Sequence, residues 1–104
     1  NQVINKLLVI TADTKAFTSY EDNQMYTDAG LFTMNLLLAI HAAGLGACCL
    51  NTCCPYFIEE KIKEVGSIPL HERVIMMIAV GTLKESYEVA YSTRNPTTEI
   101  LIQH

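Results

Sequence analysis

The order of the apolar segments predicts an α/β domain in which parallel strands, joined by helical crossovers, form a flavodoxin-like sheet. Two continuous apolar runs, residues 6–12 and residues 74–80, have the pattern of strands covered on both faces. Helical segments with short connections lie between them. The stretch from residue 82 to residue 99 fits this arrangement poorly, because an aperiodic loop of that length usually binds something or wraps a partner.

A long helix is predicted over residues 23–43. Asp22 is placed to cap its start, and Gly44 is placed to end it in the left-handed conformation. A helix without a wide polar face must be covered by other structure, so we expect it to be buried, with His41 as a hydrogen-bonded core residue. The polar side chains that are scattered around its axis are Asp28, Thr33, Asn35 and His41.

A short strand and a second helix are expected next. The strand covers residues 47–50, and Pro55 suits the first turn of the helix, which Gly66 would stop. Residues 100–102 could form a final strand.

The second helix has amphipathic spacing. Ile58, Ile62 and Val65 share one face, while Glu59 and Lys63 pair at i, i+4 on the other side. We therefore expect the three apolar side chains to face the core and the charged pair to face away from it.

Composition and charge limit the partners of the chain. Hydrophobic residues make up 50% of the 104 residues, and the charged share is only 17%. Soluble domains usually have about 25% charged residues, so part of this surface is expected to face another chain or another part of the same protein. The net charge is −4 and the seven Lys and Arg residues are dispersed, which argues against nucleic acid, because phosphate neutralisation needs a clustered basic face.

The sequence also bears on location. No basic segment precedes an apolar one at the start of the chain, so a secretory signal is not indicated and we expect a cytoplasmic protein. The apolar residues 31–50 are interrupted by Asn35, His41 and two glycines, so we do not expect them to span a membrane.

The turn between the short strand and the second helix, residues 50–55, is the best candidate for a binding site. A strand end that meets a helix start offers free backbone N–H groups and the positive end of the helix dipole, which can donate to a ligand acceptor atom or hold an anion. The alternative is a plain turn in which Asn51 or Thr52 forms a local hydrogen bond.

Four cysteines lie close together as the pairs Cys48-Cys49 and Cys53-Cys54. Common zinc sites place two residues between paired ligands, and Cys48 and Cys49 would point to opposite faces of a strand. We therefore expect no metal site and no disulfide, and we interpret the four side chains as small, buried, reduced thiols.

Arg94 is a second candidate for a binding role. It is one of only two arginines and lies in the otherwise uncharged run of residues 91–96. The guanidinium group is well shaped for bidentate phosphate binding, whereas the alternative is a surface arginine packed on the tail.

Taken in order, several short motifs resemble the nitroreductase family of FMN-dependent oxidoreductases. The resemblance runs over nearly all of residues 1–104, but it covers only about the C-terminal half of that family's single domain. Each motif is weak alone, while their order and spacing together are fairly specific. The motifs are LLVITAD in the first strand, Tyr26-Thr-Asp28-Ala-Gly30, Asn35-Leu-Leu-Leu-Ala39, Ala43-Gly-Leu-Gly46, Val65-Gly66 with Ile68-Pro69, Ile78-Ala-Val-Gly81 and Arg94-Asn-Pro96.

The resemblance implies an α+β fold with a mixed, largely antiparallel sheet in place of the parallel one. It also implies a homodimer with the long helix at the subunit interface and FMN bound there. By this resemblance Cys49, Leu50 and Asn51 lie along the isoalloxazine ring, and the backbone N–H of Asn51 or Thr52 donates to flavin N5. The tail residues that resemble the FMN phosphate site are Ser92 and Arg94.

The activity that the resemblance implies is hydride transfer from NAD(P)H through flavin N5 to a nitroaromatic, quinone or similar acceptor. No catalytic side chain is expected, because the cofactor carries the reaction. The alternative is a cofactor-free member of the same fold that serves as a dimerisation or interaction module.

Overall fold

The computed structural model describes residue 4 and residues 6–103. The strands and long helices that the sequence predicts between residues 6 and 82 are confirmed to within a few residues of their expected ends. The elements, in chain order, are β1 (Lys6–Asp13), a 3-10 turn (Thr14–Ala16), α1 (Gln24–Ala42), β2 (Leu45–Leu50), α2 (Tyr56–Gly66), β3 (Glu72–Thr82) and the short α3 (Thr97–Ile100).

The last strand in the sequence lies at the centre of the sheet. The strand order is β1–β3–β2, and both neighbouring pairs are antiparallel, with Lys6 opposite Val80 and Leu50 opposite Met77. The prediction of a parallel sheet is therefore wrong, and the α+β fold with a largely antiparallel sheet is confirmed. The long apolar run of β3 suits the central position, where Ile78 is completely buried.

A β-bulge interrupts the pairing of β3 with β1. Met76 is opposite Ile10 and Val74 is opposite Thr11, so Ile75 is an extra residue on β3. A bulge of this kind bends the strand and leaves backbone groups outside the ladder. Those groups need hydrogen-bond partners from another part of the chain.

α1 packs one face against the sheet. Its hydroxyl-bearing buried residue, Thr33, is satisfied within the helix, because its Oγ1 donates to the carbonyl oxygen of Ala29 at 2.7 Å. The helix and the two strands β1 and β3 together form the core, whose buried apolar members are Ile10, Ala29, Ile40, Ile78 and Val80.

The opposite face of α1 is exposed in the single chain. The prediction of a helix covered all round is therefore wrong for one copy, and His41 is exposed instead of lying in the core. A small three-stranded sheet can cover only one side of a helix. The large apolar side chains left exposed on α1 are Leu31, Phe32, Met34 and Leu38. No helix within residues 6–103 has both the length and the hydropathy needed to cross a membrane.

The helix ends follow the predicted chemistry at one of three positions. Gly44 has a φ of 77°, which confirms the left-handed end of α1, but α1 begins without a side-chain capping bond, so the Asp22 cap is wrong. α2 ends at Ser67, whose φ is 53°, while Gly66 is still helical. A Cβ at Gly66 would meet the Ile68 side chain at 3.1 Å, so the glycine allows a close approach there.

The chain after β3 is exposed, although Leu83 and Tyr87 near its start line a cavity with residues of α1 and β2. Every residue from Leu83 to Gln103 is exposed, and residues 100–102 do not form the predicted strand, because Ile100 is the last residue of α3 and the three-stranded sheet includes no strand after β3 in the described part of the chain. The radius of gyration is 16.9 Å, whereas a compact domain of this length has one of about 13 Å. The tail is thus an arm without its own core.

Candidate functional site

The turn between β2 and α2 starts where β2 separates from β3. Leu50, the last residue of the strand, is half-buried opposite Met77, and residues 51–55 then leave the sheet before α2 begins. The structure places four predicted cofactor-binding residues together at this strand end: Cys49, Leu50, Asn51 and Thr52.

The side chain of Asn51 shapes this turn. Its Oδ1 accepts a hydrogen bond from the backbone N–H of Cys53 at 2.8 Å, which closes a local side-chain turn. Within the described part of the chain, the backbone N–H groups of Asn51 and Thr52 donate to no acceptor. The turn therefore has the local hydrogen bond that the sequence allowed, and it also keeps two main-chain donors free for a ligand.

Two side chains bind the turn and α2 to the bulge of β3. The hydroxyl of Thr52 donates to the carbonyl oxygen of Ile75 at 3.3 Å. One residue earlier on β3, the backbone N–H of Val74 donates to Oε1 of Glu59 at 3.1 Å. These bonds satisfy two backbone groups of β3 that lie beyond its last pair with β2, Leu50 and Met77.

Glu59 belongs to a group of three charged side chains between α2 and β3. Its carboxylate lies 3.4 Å from Nζ of Lys63 and 3.4 Å from Nε of Arg73, and Nζ of Lys63 is 3.5 Å from the carbonyl oxygen of Leu70. Glu59 and Lys63 are only 6% and 5% exposed. A buried carboxylate is costly unless it is paired, and here each of its oxygens has a cation beside it.

The predicted orientation of α2 is wrong on this point. Glu59 and Lys63 do pair at i, i+4, but they face the sheet. Of the three apolar residues expected to face the core, Ile58 and Ile62 are half-buried, while Val65 is 88% exposed. The bulged strand needs a hydrogen-bond acceptor for the Val74 N–H, and a carboxylate supplies it where an isoleucine or valine could not.

The free donors and the charged group line one small cavity. Its volume is about 380 Å³, and its polar lining comes from the turn and from the group between α2 and β3. The polar side chains around it are Asn51, Thr52, Glu59 and Arg73, together with Tyr26 from α1. Sequence reasoning missed Glu59 and Arg73; the signal it could have used is an arginine directly before the apolar run of β3, across from an acidic residue of α2.

All four cysteines are exposed and carry free thiols. The prediction of buried thiols is therefore wrong, because β2 is an edge strand and the turn after it lies at the surface. Cys48 and Cys49 are consecutive on β2, and Cys53 and Cys54 lie in the turn. In residues 4 and 6–103, no three or more histidine, cysteine or acidic side chains are placed to hold a metal ion together.

Ser92 and Arg94 are not among the residues that line the cavity at the turn. Arg94 donates to Oγ of Ser92 and, at 3.4 Å, to the carbonyl oxygen of Thr93, so the guanidinium and the hydroxyl are brought together. Both side chains are exposed, and among the described residues no hydrogen bond joins them to Asn51 or Thr52. The structure of one chain thus shows two separate groups of predicted cofactor-binding residues.

A family model and solved structures show what this chain is similar to. The model of the Nitroreductase family matches residues 5–82. A nitroreductase family protein from Streptococcus pneumoniae TIGR4 is 27% identical, with a TM-score of 0.67 over 86% of this chain and 42% of its own length. No curated protein matches the sequence.

Two further solved structures share the fold. An FMN-dependent nitroreductase from Clostridium difficile R20291 is 22% identical, with a TM-score of 0.65 over 83% of this chain and 49% of its own. A candidate NADH oxidase from Clostridium acetobutylicum is 22% identical, with a TM-score of 0.70 over 94% of this chain and 57% of its own. The chain therefore spans about half the length of the proteins it matches.

Proposed function

The chain belongs to the nitroreductase family, and on that premise we propose that it is part of an FMN-dependent oxidoreductase that passes hydride from NAD(P)H to a nitroaromatic, quinone or similar acceptor. The family match supports an oxidoreductase. The similar structure that is named as FMN-dependent supports flavin as the cofactor.

The observation that carries the proposal is the pair of free main-chain donors at Asn51 and Thr52. Asn51 holds the turn through Cys53, and Thr52 fastens it to Ile75, so the two N–H groups are fixed without being used. Fixed, unused donors suit a heteroaromatic nitrogen or oxygen acceptor, since binding costs them no reorganisation. A flavin ring edge has such acceptors, so the donor set fits FMN.

The tail pair fits the other end of the same cofactor. A phosphate group is bound well by a guanidinium together with a hydroxyl, and Arg94 and Ser92 already lie side by side. In the proposed site, Asn51 or Thr52 donates to N5 of the ring, Cys49 and Leu50 lie along the ring, and Ser92 and Arg94 hold the phosphate.

FMN, when bound, supplies the acceptance and release of hydride, so the protein needs no nucleophile or general base of its own. The work of this chain is to bind the ring edge, orient it and keep water from part of it. Leu50 is half-buried at the strand end and contributes apolar surface for that purpose.

We further propose that two copies of the chain associate through α1. Leu31, Met34 and Leu38 recur at intervals of three and four residues, so they form one exposed stripe, with exposed fractions of 64%, 54% and 57%. An apolar stripe of this kind on a helix marks an interaction surface. A second copy packed on this stripe would also bury the side of α1 that the sheet leaves exposed.

The experiment is an absorption spectrum of the protein, purified at its full natural length, followed by NAD(P)H oxidation with a quinone or a nitroaromatic compound. A flavin band together with acceptor-dependent turnover supports the proposal. A colourless dimer that takes up no added FMN would contradict it and support the cofactor-free interaction module.

A further inference from the structure

We propose that the buried carboxylate of Glu59 is a positioning group that holds the bulge of β3 and, through Thr52, sets the geometry of the two donors at Asn51 and Thr52. The effect of Glu59 on a bound flavin rests on the proposed function. The effect of Glu59 on the shape of the turn does not depend on that function.

Thr52 and Glu59 bind neighbouring backbone groups of β3. Ile75 is the extra residue of β3 in its pairing with β1, and on the other edge of β3 the pairing with β2 ends at Met77. The carbonyl oxygen of Ile75 accepts from Thr52, and the neighbouring N–H of Val74 donates to Glu59. One stretch of bulged backbone is therefore held from the same side by two side chains that flank the start of α2.

The charged groups around Glu59 restrict its movement. The Glu59 side chain is 8% exposed, and its two carboxylate oxygens face Lys63 and Arg73 at 3.4 Å each. Lys63 also reaches the carbonyl oxygen of Leu70, just before β3 begins. Glu59 is thus held by Lys63 on α2 and by Arg73 and Val74 on β3, so its side chain has little freedom to move.

Glu59 lies close to the turn with the free donors. Glu59 and Arg73 line the same 380 Å³ space as Asn51 and Thr52. If the bulge relaxed, the carbonyl oxygen of Ile75 would move, and with it the only side-chain bond from Thr52 to the sheet that the described residues show. The placement of the free donors therefore depends on a carboxylate that does not touch them.

The test uses residue-resolved amide hydrogen exchange of the full-length protein, first without FMN. In Glu59→Ala, the N–H of Val74 loses its acceptor and the turn loosens, so exchange at Val74 and at Cys53, whose N–H reports on the turn, should quicken at least tenfold. Glu59→Gln keeps a carbonyl oxygen for Val74 and should quicken both by less than threefold. Glu60→Ala, at an exposed position of the same helix, is the matched control and should change neither.

Two outcomes overturn the proposal. One is unchanged exchange at Cys53 in folded Glu59→Ala; the other is faster exchange spread evenly over α1 and the sheet, which would show a general loss of stability. If Glu59→Ala does not fold, Thr52→Val takes its place: it should quicken exchange at Cys53 while Val74 stays protected, and equal protection at Cys53 would defeat the idea.

A second readout separates this inference from the proposed function. With FMN bound, the absorption band of the flavin should shift in Glu59→Ala and stay in place in Glu60→Ala. Faster exchange at Cys53 with an unshifted band would support Glu59 as the positioning group of the turn and would contradict the assignment of Asn51 and Thr52 to the flavin.

Discussion

The hydroxyl of Thr52 donates to the carbonyl oxygen of Ile75 at 3.3 Å, across the point where β2 has already left the sheet. This bond continues the contact between the two segments beyond Leu50 and Met77, the last residues paired between β2 and β3. It also determines where the turn with the free main-chain donors lies. One hydrogen bond therefore joins the candidate site to Ile75, the bulged residue of β3.

Thr52→Val should lower the free energy of unfolding by about 1 kcal/mol, because the carbonyl oxygen of Ile75 loses its half-buried partner while the side-chain shape is kept. Urea denaturation measures the change. Thr98→Val, at an exposed position of α3, serves as the control and should be neutral. Equal stability of the two variants would show that the Thr52 bond is not formed.

Arg94→Ala should weaken FMN binding by about tenfold to a hundredfold, since hydrogen bonds to charged groups are worth about 1.5–3 kcal/mol. Fluorescence titration of the cofactor-free protein with FMN measures the dissociation constant. Lys61→Ala removes an exposed positive charge from α2 and controls for the change in net charge. Unchanged affinity in Arg94→Ala would remove that residue from the phosphate site.

Leu38→Glu should shift the proposed homodimer towards monomers, because it places a charge within the exposed apolar stripe of α1. Sedimentation velocity at several protein concentrations measures the distribution. Val65→Glu changes an 88% exposed position on α2 and should leave the assembly as it is. A Leu38→Glu variant that sediments like the unchanged protein would place the contact between copies elsewhere.

Ser67→Gly should raise the free energy of unfolding by roughly 0.5–1 kcal/mol, because Ser67 has a φ of 53° and glycine adopts that conformation without steric cost. Thermal or urea unfolding measures the gain. Ser19→Gly, in an exposed turn before α1, supplies the comparison for the added chain entropy. A loss of stability in Ser67→Gly would mean that the serine side chain contributes at this helix end.

The family's motifs and the local boundary signals made much of the fold predictable. β1, α1, β2, α2 and β3 all lie where apolar runs and helix signals indicate, and Gly44 ends α1 as expected. Local signals failed at Asp22 and at Gly66, because a capping bond or a left-handed residue depends on backbone angles that a neighbouring residue can adopt just as well.

Only part of the candidate site could be predicted from the sequence. The turn at Asn51 and Thr52 could be predicted, since free N–H groups follow from any strand end that meets a helix start. Glu59 and Arg73 could not, because their meeting depends on how α2 is rotated against β3, and the amphipathic spacing of α2 placed Glu59 on the outward side.

The sequence alone determined which segments become strands and helices, since apolar spacing and turn residues act over a few neighbouring residues. Only the tertiary structure decided the strand order, the bulge at Ile75 and the inward-facing Glu59. These features come from pairing between residues that are far apart in the chain. The backbone N–H of Val74 is then satisfied by a side chain of α2, the helix that directly precedes β3.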